Sequence, residues 1–142
     1  MAAPNPRLTA AEVTALLDVA FPGYAEHGPR VVEVSPGRIR LLRPYVEGLL
    51  RPGGVISGPN LMALADTAAY ALVLAHLGDQ LMAVTSQLSM NFLRGAKPGD
   101  LHAEAELLHL GRRNAVSDVR LWTEAPDRLA AQAVVTYALP AA

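Results

Sequence analysis

Two features of the sequence can do chemistry. The first is Asp66, a lone carboxylate among Leu61, Met62, Leu64, Ala65, Ala68 and Ala69. Burying a carboxylate without a partner costs several kcal/mol or forces it to stay protonated. Asp66 is therefore either satisfied by a neighbouring hydroxyl, with Thr67 and Tyr70 nearest along the chain, or held ready as a general base or nucleophile. The second is Ser57-Gly58-Pro59-Asn60. Serine is a good helix cap, and proline suits the first turn, where its missing N–H does no harm. Gly58 between them has no side chain, so a reacting carbonyl oxygen can approach its N–H at the positive end of the helix dipole. Taken alone, this second feature reads as a well-made helix start.

Geometry connects the two. Asp66 follows Gly58 by eight residues, which on a helix is about 12 Å along the axis and roughly 80° around it. One chain cannot bring both groups to one carbonyl. If they act together, Gly58 of one subunit meets Asp66 of another, in a dimer with two equivalent composite sites.

The elements that would position these groups are legible in the periodicity. In residues 9–20, Val13, Leu16, Leu17 and Ala20 have helical spacing behind a Thr9 cap with Glu12 three residues on, a short amphipathic helix within an N-terminal helical segment, 1–28. RVVEVS and RIRLLR, joined by Pro36-Gly37, predict a hairpin with a type II turn. After a Pro52-Gly53-Gly54 loop comes the run Ser57 to His76, about 30 Å if helical and apolar on nearly every face, so it belongs inside. From Met82 onwards, the even positions Met82, Val84, Leu88, Met90 and Phe92 are apolar, and the odd positions Thr85, Gln87, Ser89 and Asn91 are polar. This predicts a strand with its even face in the core. Turns at Lys97-Pro98-Gly99-Asp100, Gly111 to Asn114 and Ala125 to Arg128 divide the remainder into a meander of four strands, antiparallel because the connections are short. The doubled Leu107-Leu108 suggests a bulge. A single apolar helix beside six antiparallel strands requires the sheet to curl around it. The expected fold is α+β, a hot-dog fold filling residues 1–142 as one domain around a central helix at 57–76.

Composition narrows the function. The chain of 142 residues is 51% hydrophobic and 18% charged, below the roughly 25% charge of a typical soluble domain. Such a surface is expected to be covered by other subunits, as a homo-oligomer. Lys and Arg number 12 against 13 Asp and Glu, so no basic field gathers phosphates and a nucleic-acid partner is not expected. The absence of cysteine excludes disulfides and thiolate chemistry and suits a reducing compartment. The start has no apolar signal region. The most apolar stretch, Leu61 to Ala75, falls short of the roughly 20 residues of a membrane span, so no membrane association and a cytoplasmic location are expected. His27, His76, His102 and His109 have no ligand spacing and no Ser-His-Asp order is legible, so neither a metal nor a redox cofactor is expected.

Two stretches carry a resemblance: Gly53-Gly54-Val55-Ile56-Ser57-Gly58-Pro59 through Leu64-Ala65-Asp66-Thr67-Ala68, and Met90-Asn91-Phe92-Leu93-Arg94-Gly95-Ala96 followed by Gly99-Asp100-Leu101. Over roughly residues 30–138 the chain resembles the hot-dog acyl-CoA thioesterases of the PaaI (phenylacetate degradation) type. The resemblance implies hydrolysis of a CoA thioester at a site shared across a dimer or a dimer of dimers, coenzyme A entering only as part of the substrate. It assigns the oxyanion N–H to Gly58 and the general base or nucleophile to Asp66 of the opposite subunit, and makes Gln87 a polar helper. The candidate substrate-contacting set is Ser57, Asn60, Tyr70, Gln87, Asn91 and Arg94. Tyr70, one turn after Asp66, is placed to orient the carboxylate. Arg94, Lys97, Arg112 and Arg113 lie at strand ends where they could bind phosphates, although turn charges are more commonly just solvated. Family members usually read His-Gly-Gly where this chain has Ser57-Gly58-Pro59, and Asn or His where it has Arg51. Serine cannot replace an imidazole as a proton donor at neutral pH. That departure motivates a second reading, a hot-dog protein that binds acyl-CoA or another apolar ligand without cleaving it. Hydration or dehydration of an acyl thioester ranks last, because no His lies near Asp66 in sequence.

Overall fold

The first helix begins with a reciprocal cap. The Thr9 hydroxyl accepts from the Glu12 N–H at 3.2 Å, and the Glu12 carboxylate accepts from the Thr9 N–H at 3.0 Å, the capping box expected of this spacing. Helix α1 (Ala10–Ala20) sinks Val13 and Leu17 completely. The structure is a computed structural model and describes residues 3–141. Met1, Ala2 and Ala142, the ends of the expected domain and helical segment, lie outside the described residues. A one-turn helix α2 (Tyr24–His27) comes after α1. The Arg30 guanidinium then ties this corner together, donating to both oxygens of Asp18 at 3.2 and 3.1 Å.

Strands β1 (Arg30–Ser35) and β2 (Arg38–Arg43) form the expected hairpin. Gly37 has φ +72°, the left-handed conformation demanded at the third position of a type II turn. The stretch expected to be only a loop around Pro52-Gly53-Gly54 contains more: a 3-10 turn at Glu47–Leu49 and a tiny hairpin of β3 (Leu50–Arg51) and β4 (Val55–Ile56). Two-residue strands are too short to display a period. The long helix α3 (Gly58–Leu77) is capped by Ser57, as expected. Strands β5 (Val84–Phe92), β6 (Leu101–Leu110), β7 (Asn114–Trp122) and β8 (Ala131–Ala138) complete the chain.

Six strands form one antiparallel sheet in the order β1-β2-β6-β7-β8-β5. This corrects the expected meander of four: of those four strands only β6, β7 and β8 are sequential neighbours, and β5 lies on the far edge against β8. The run 93–100 is therefore a crossing connection rather than a hairpin turn. Eight residues reach about 26 Å when extended, more than the width of the two intervening strands at about 4.8 Å each. The Leu93 N–H donates to Ala130 at 2.8 Å, and Ala96 accepts from the Ile56 N–H at 2.9 Å, pinning the connection at both ends.

Two bulges set which side chains face inward. One falls between Leu107 and His109, where the doubled leucine predicts it. The other falls between Thr85 and Gln87 and overturns part of the period-two reading of β5. Beyond the bulge, Leu88, Met90 and Phe92 pair with Val135, Ala133 and Ala131, whose side chains are buried. Before it the phase reverses: Thr85 pairs with the buried Tyr137, and Met82 and Val84 are 79% and 59% exposed. An extra residue in one strand shifts the face of everything on one side of it.

The sheet wraps α3 with small residues. Ala103, Ala105, Ala115, Ala131 and Ala133 are buried on it, leaving room for Leu61, Leu64, Leu72 and Leu74 of the helix at close-packed density. By length and composition α3 could cross a membrane. Its apolar surface is instead largely spent on the core, and from Ala68 to His76 every residue is buried. The first half departs from the expectation of burial on all sides: Met62 and Ala63 are exposed, and Asp66 and Thr67 are half-buried.

His76 closes the far end of α3. Its ring is buried, with Nε2 accepting from the Gly37 N–H at 2.9 Å and Nδ1 3.0 Å from the Leu72 carbonyl. That network is satisfied by a neutral ring protonated on Nδ1, and burial lowers the pKa below its ordinary 6.5. Below about pH 6.5 the unfolded chain binds a proton that the folded chain refuses, so His76 removes stability as pH falls. His76→Leu orphans the buried Gly37 N–H and should cost about 1–3 kcal/mol at pH 7.5. Urea melts at pH 7.5 and 5.5 should also show a smaller acid loss than wild type. An equal loss in both proteins would assign the acid sensitivity to other groups, of which His102, also lowered by burial and by Arg40, is the first to test.

Candidate active site

Asp66 emerges where α3 passes the edge of the sheet. Two hydroxyls meet the same carboxylate oxygen: Thr85 Oγ1 donates to Oδ1 at 2.6 Å, and the Tyr137 phenol reaches it at 2.8 Å. The phenol also lies 3.2 Å from the Asp66 carbonyl oxygen. Thr85 comes from β5 and Tyr137 from β8, so three elements converge on one side chain. Neither donor expected from proximity in sequence takes part. The Thr67 hydroxyl donates to the Ala63 carbonyl at 2.9 Å, and Tyr70 donates to the Leu81 carbonyl at 2.9 Å. Tyr70 is buried and does not touch the carboxylate with its hydroxyl. Its ring packs on that of Tyr137 at 5.6 Å and meets Phe21 edge-on at 5.8 Å.

Burial pushes the Tyr137 phenol far above its ordinary pKa of 10.0; the Thr85 hydroxyl opposes this, and the Asp66 carboxylate adds to it. Tyr137 therefore stays protonated and available to donate. Tyr70 is raised as well, by burial and by the charge of Asp79.

Gly58 lies at the other end of the same helix stretch. As the first residue of α3, its N–H has no acceptor within the helix. It opens into an apolar groove of about 530 Å³ lined by Ile56, Pro59, Leu61, Phe92, Leu93 and Ala96, with the two cations Arg51 and Arg94 also on its walls. A Cβ at residue 58 would lie 3.4 Å from the Phe92 ring. Ser57 and Asn60 serve the helix start: Asn60 Nδ2 donates to Ser57 Oγ at 2.8 Å and to the Leu49 carbonyl at 3.3 Å. Neither lines the groove.

The remaining expected site residues do not gather around Asp66. Gln87 lies beyond the bulge, opposite Thr136, on the face that also carries Asn91. Asn91 Nδ2 donates to Gln132 at 3.2 Å, and Gln132 donates on to Asp118 at 2.6 Å. Of the expected contact residues, only Arg94 shares the groove with Gly58. Sequence reasoning missed Thr85, whose inward face depends on an unannounced bulge. It also missed Tyr137, although Ala131, Ala133, Val135 and Tyr137 alternate on one face and end in the only hydroxyl of that row. Among the described residues, no three His, Asp or Glu side chains converge as a metal site requires.

A sheet curled around one helix, with a carboxylate and a bare N–H presented along its edge, defines the class as hot-dog proteins. The chain belongs to the thioesterase superfamily, whose family model matches residues 53–130, more than half of its length. A solved structure from Silicibacter sp. TM1040, described as a "putative thioesterase", is 36% identical with a TM-score of 0.84 and covers 95% of this chain and 94% of its own. A phenylacetic acid degradation-related protein from Ralstonia eutropha JMP134 is 27% identical with a TM-score of 0.75, covering 83% of this chain and 90% of its own. A Bacillus subtilis protein named "putative esterase" is 30% identical over 98 residues, 68% of this chain and 78% of that protein. The function is accordingly of the thioesterase type, that of a hydrolase acting on thioesters.

Proposed function

We propose that the protein is an acyl-CoA thioesterase of the PaaI type, hydrolysing a CoA thioester to free acid and coenzyme A at a site shared between two subunits. The observation that carries this reading is the arrangement along β5. Gly58 lies against Phe92 at one end of the strand and Asp66 against Thr85 at the other, and β5 is an edge strand with one side unpaired. Antiparallel pairing of two β5 edges about a two-fold axis brings the Phe92 end of one protomer to the Thr85 end of its partner. Gly58 then faces the partner's Asp66 across one thioester. Exposed Met62, Val84, Phe92 and Leu93 supply apolar surface for the same contact. Two such dimers would form the tetramer.

In this site the Gly58 N–H receives the developing oxyanion. The partner's Asp66 either takes a proton from water as the hydroxide adds to the carbonyl carbon, or adds to that carbon itself and is released by water. Collapse expels the thiolate of coenzyme A, with no cofactor beyond the substrate. Arg51 and Arg94 suit the phosphates of coenzyme A. The reading includes a cytoplasmic setting and neither nucleic-acid nor membrane partners.

The test is release of free thiol from short-chain, long-chain and aromatic acyl-CoA thioesters. Hydrolysis of at least one class is expected. The second reading, ligand binding without cleavage, draws on the Ser57 corner, where the hydroxyl is already engaged by Asn60. Saturable binding without thiol release from any of these thioesters would establish it and overturn the enzyme.

A further inference from the structure

We infer that Tyr137 is a positioning residue for Asp66: together with Thr85 it fixes the carboxylate through Oδ1, leaving Oδ2 as the one oxygen presented to the substrate. The inference rests on the reading of Asp66 as the reacting carboxylate and goes beyond it. The family match ends at residue 130, seven residues before Tyr137.

Both contacts to Oδ1, 2.6 Å from Thr85 and 2.8 Å from Tyr137, fall in or close to the range of hydrogen bonds to ionised oxygens. Two donors on one oxygen hold the plane of the carboxylate. The donor is itself immobile. Tyr137 is 4% exposed, and its ring is packed against Tyr70, which Phe21 braces from the far side and the Leu81 carbonyl anchors through the hydroxyl. A carboxylate held this way needs no reorganisation when the reaction begins, the condition under which a positioned group contributes most.

Few other groups can tune Asp66. From β5 it meets Thr85, from β8 Tyr137, and on α3 Thr67 and Tyr70 lie beside it in sequence. Asp79 acts on the neighbouring Tyr70. None of the ion pairs among the described residues involves Asp66. The two hydroxyls are thus the groups through which the fold holds this carboxylate in place.

Tyr137→Phe keeps the ring and deletes the donor. It should lower kcat about tenfold with KM unchanged, since the ring packing persists and only the hold on the reacting carboxylate is lost. Thr85→Val removes the other donor and should likewise lower kcat with KM unchanged, providing a second route if the tyrosine variant folds poorly. An unchanged kcat in a folded variant overturns the inference, because a purely structural tyrosine would change the melting temperature alone. Hydrolysis that survives Asp66→Asn would instead refute the role of Asp66 on which the inference builds, whatever Tyr137→Phe does.

Discussion

Asp66→Asn should reduce thiol release by about 10³- to 10⁴-fold, the upper range for removal of a positioned base. The substitution is nearly isosteric. The amide oxygen can still accept from Thr85 and Tyr137, which now meet Oδ1 at 2.6 and 2.8 Å, so α3 and its contacts with β5 and β8 should persist. What disappears is the negative charge and the lone pairs of the second oxygen. Because Asp66 is only half-buried, no large stability change accompanies the loss, and circular dichroism and size-exclusion chromatography should match wild type. Unaltered hydrolysis in a folded Asp66→Asn protein would remove the carboxylate from the mechanism and leave the Gly58 N–H without a partner in catalysis.

Gly58→Val should cost about 10²- to 10³-fold, comparable to the loss of an oxyanion donor. The N–H remains, but its approach is filled. A Cβ at this position lies 3.4 Å from the Phe92 ring atoms Cε1 and Cζ, an ordinary contact, and the further methyl groups of valine project beyond it. Phe92 is 54% exposed and can turn aside, so folding is preserved while the carbonyl oxygen is held away from the donor. Ser57 still caps the helix through the Asn60 N–H. Gly58→Ala, with one carbon instead of three, should fall between valine and wild type. Rates that ignore the size of residue 58 would exclude this N–H as the oxyanion site.

The sequence made the two candidate reacting groups visible but not their supports. A carboxylate in an apolar helix and a glycine in a helix cap are anomalies of residue type, readable without coordinates. So were α1 with its capping box, the Pro36-Gly37 hairpin, α3 and the bulge at Leu107-Leu108. The partners of Asp66 were not readable. Tyr137 is 71 residues away, and no local rule pairs β8 with β5. Turn chemistry at Lys97-Pro98-Gly99-Asp100 suggests a reversal of direction but is silent on how many strands the connection crosses. Thr85 was lost for a different reason: strict alternation holds only within an unbroken ladder, and one extra residue at Ser86 changes its phase. Beyond that residue the expected alternation holds, so Gln87 and Asn91 lie on the face away from the helix, where Asn91 joins Gln132 and Asp118.

The separation of about 12 Å between Gly58 and Asp66 on one rigid helix has a genetic consequence. In the proposed dimer each reaction centre draws one half from each chain, so a chain defective in either half would damage one centre of a mixed dimer and leave the other to its partner's defects alone. Two inactive alleles, one altered at Gly58 and the other at Asp66, place both lesions in one centre and neither in the other. The pair complements, whereas two alleles altered at the same residue do not.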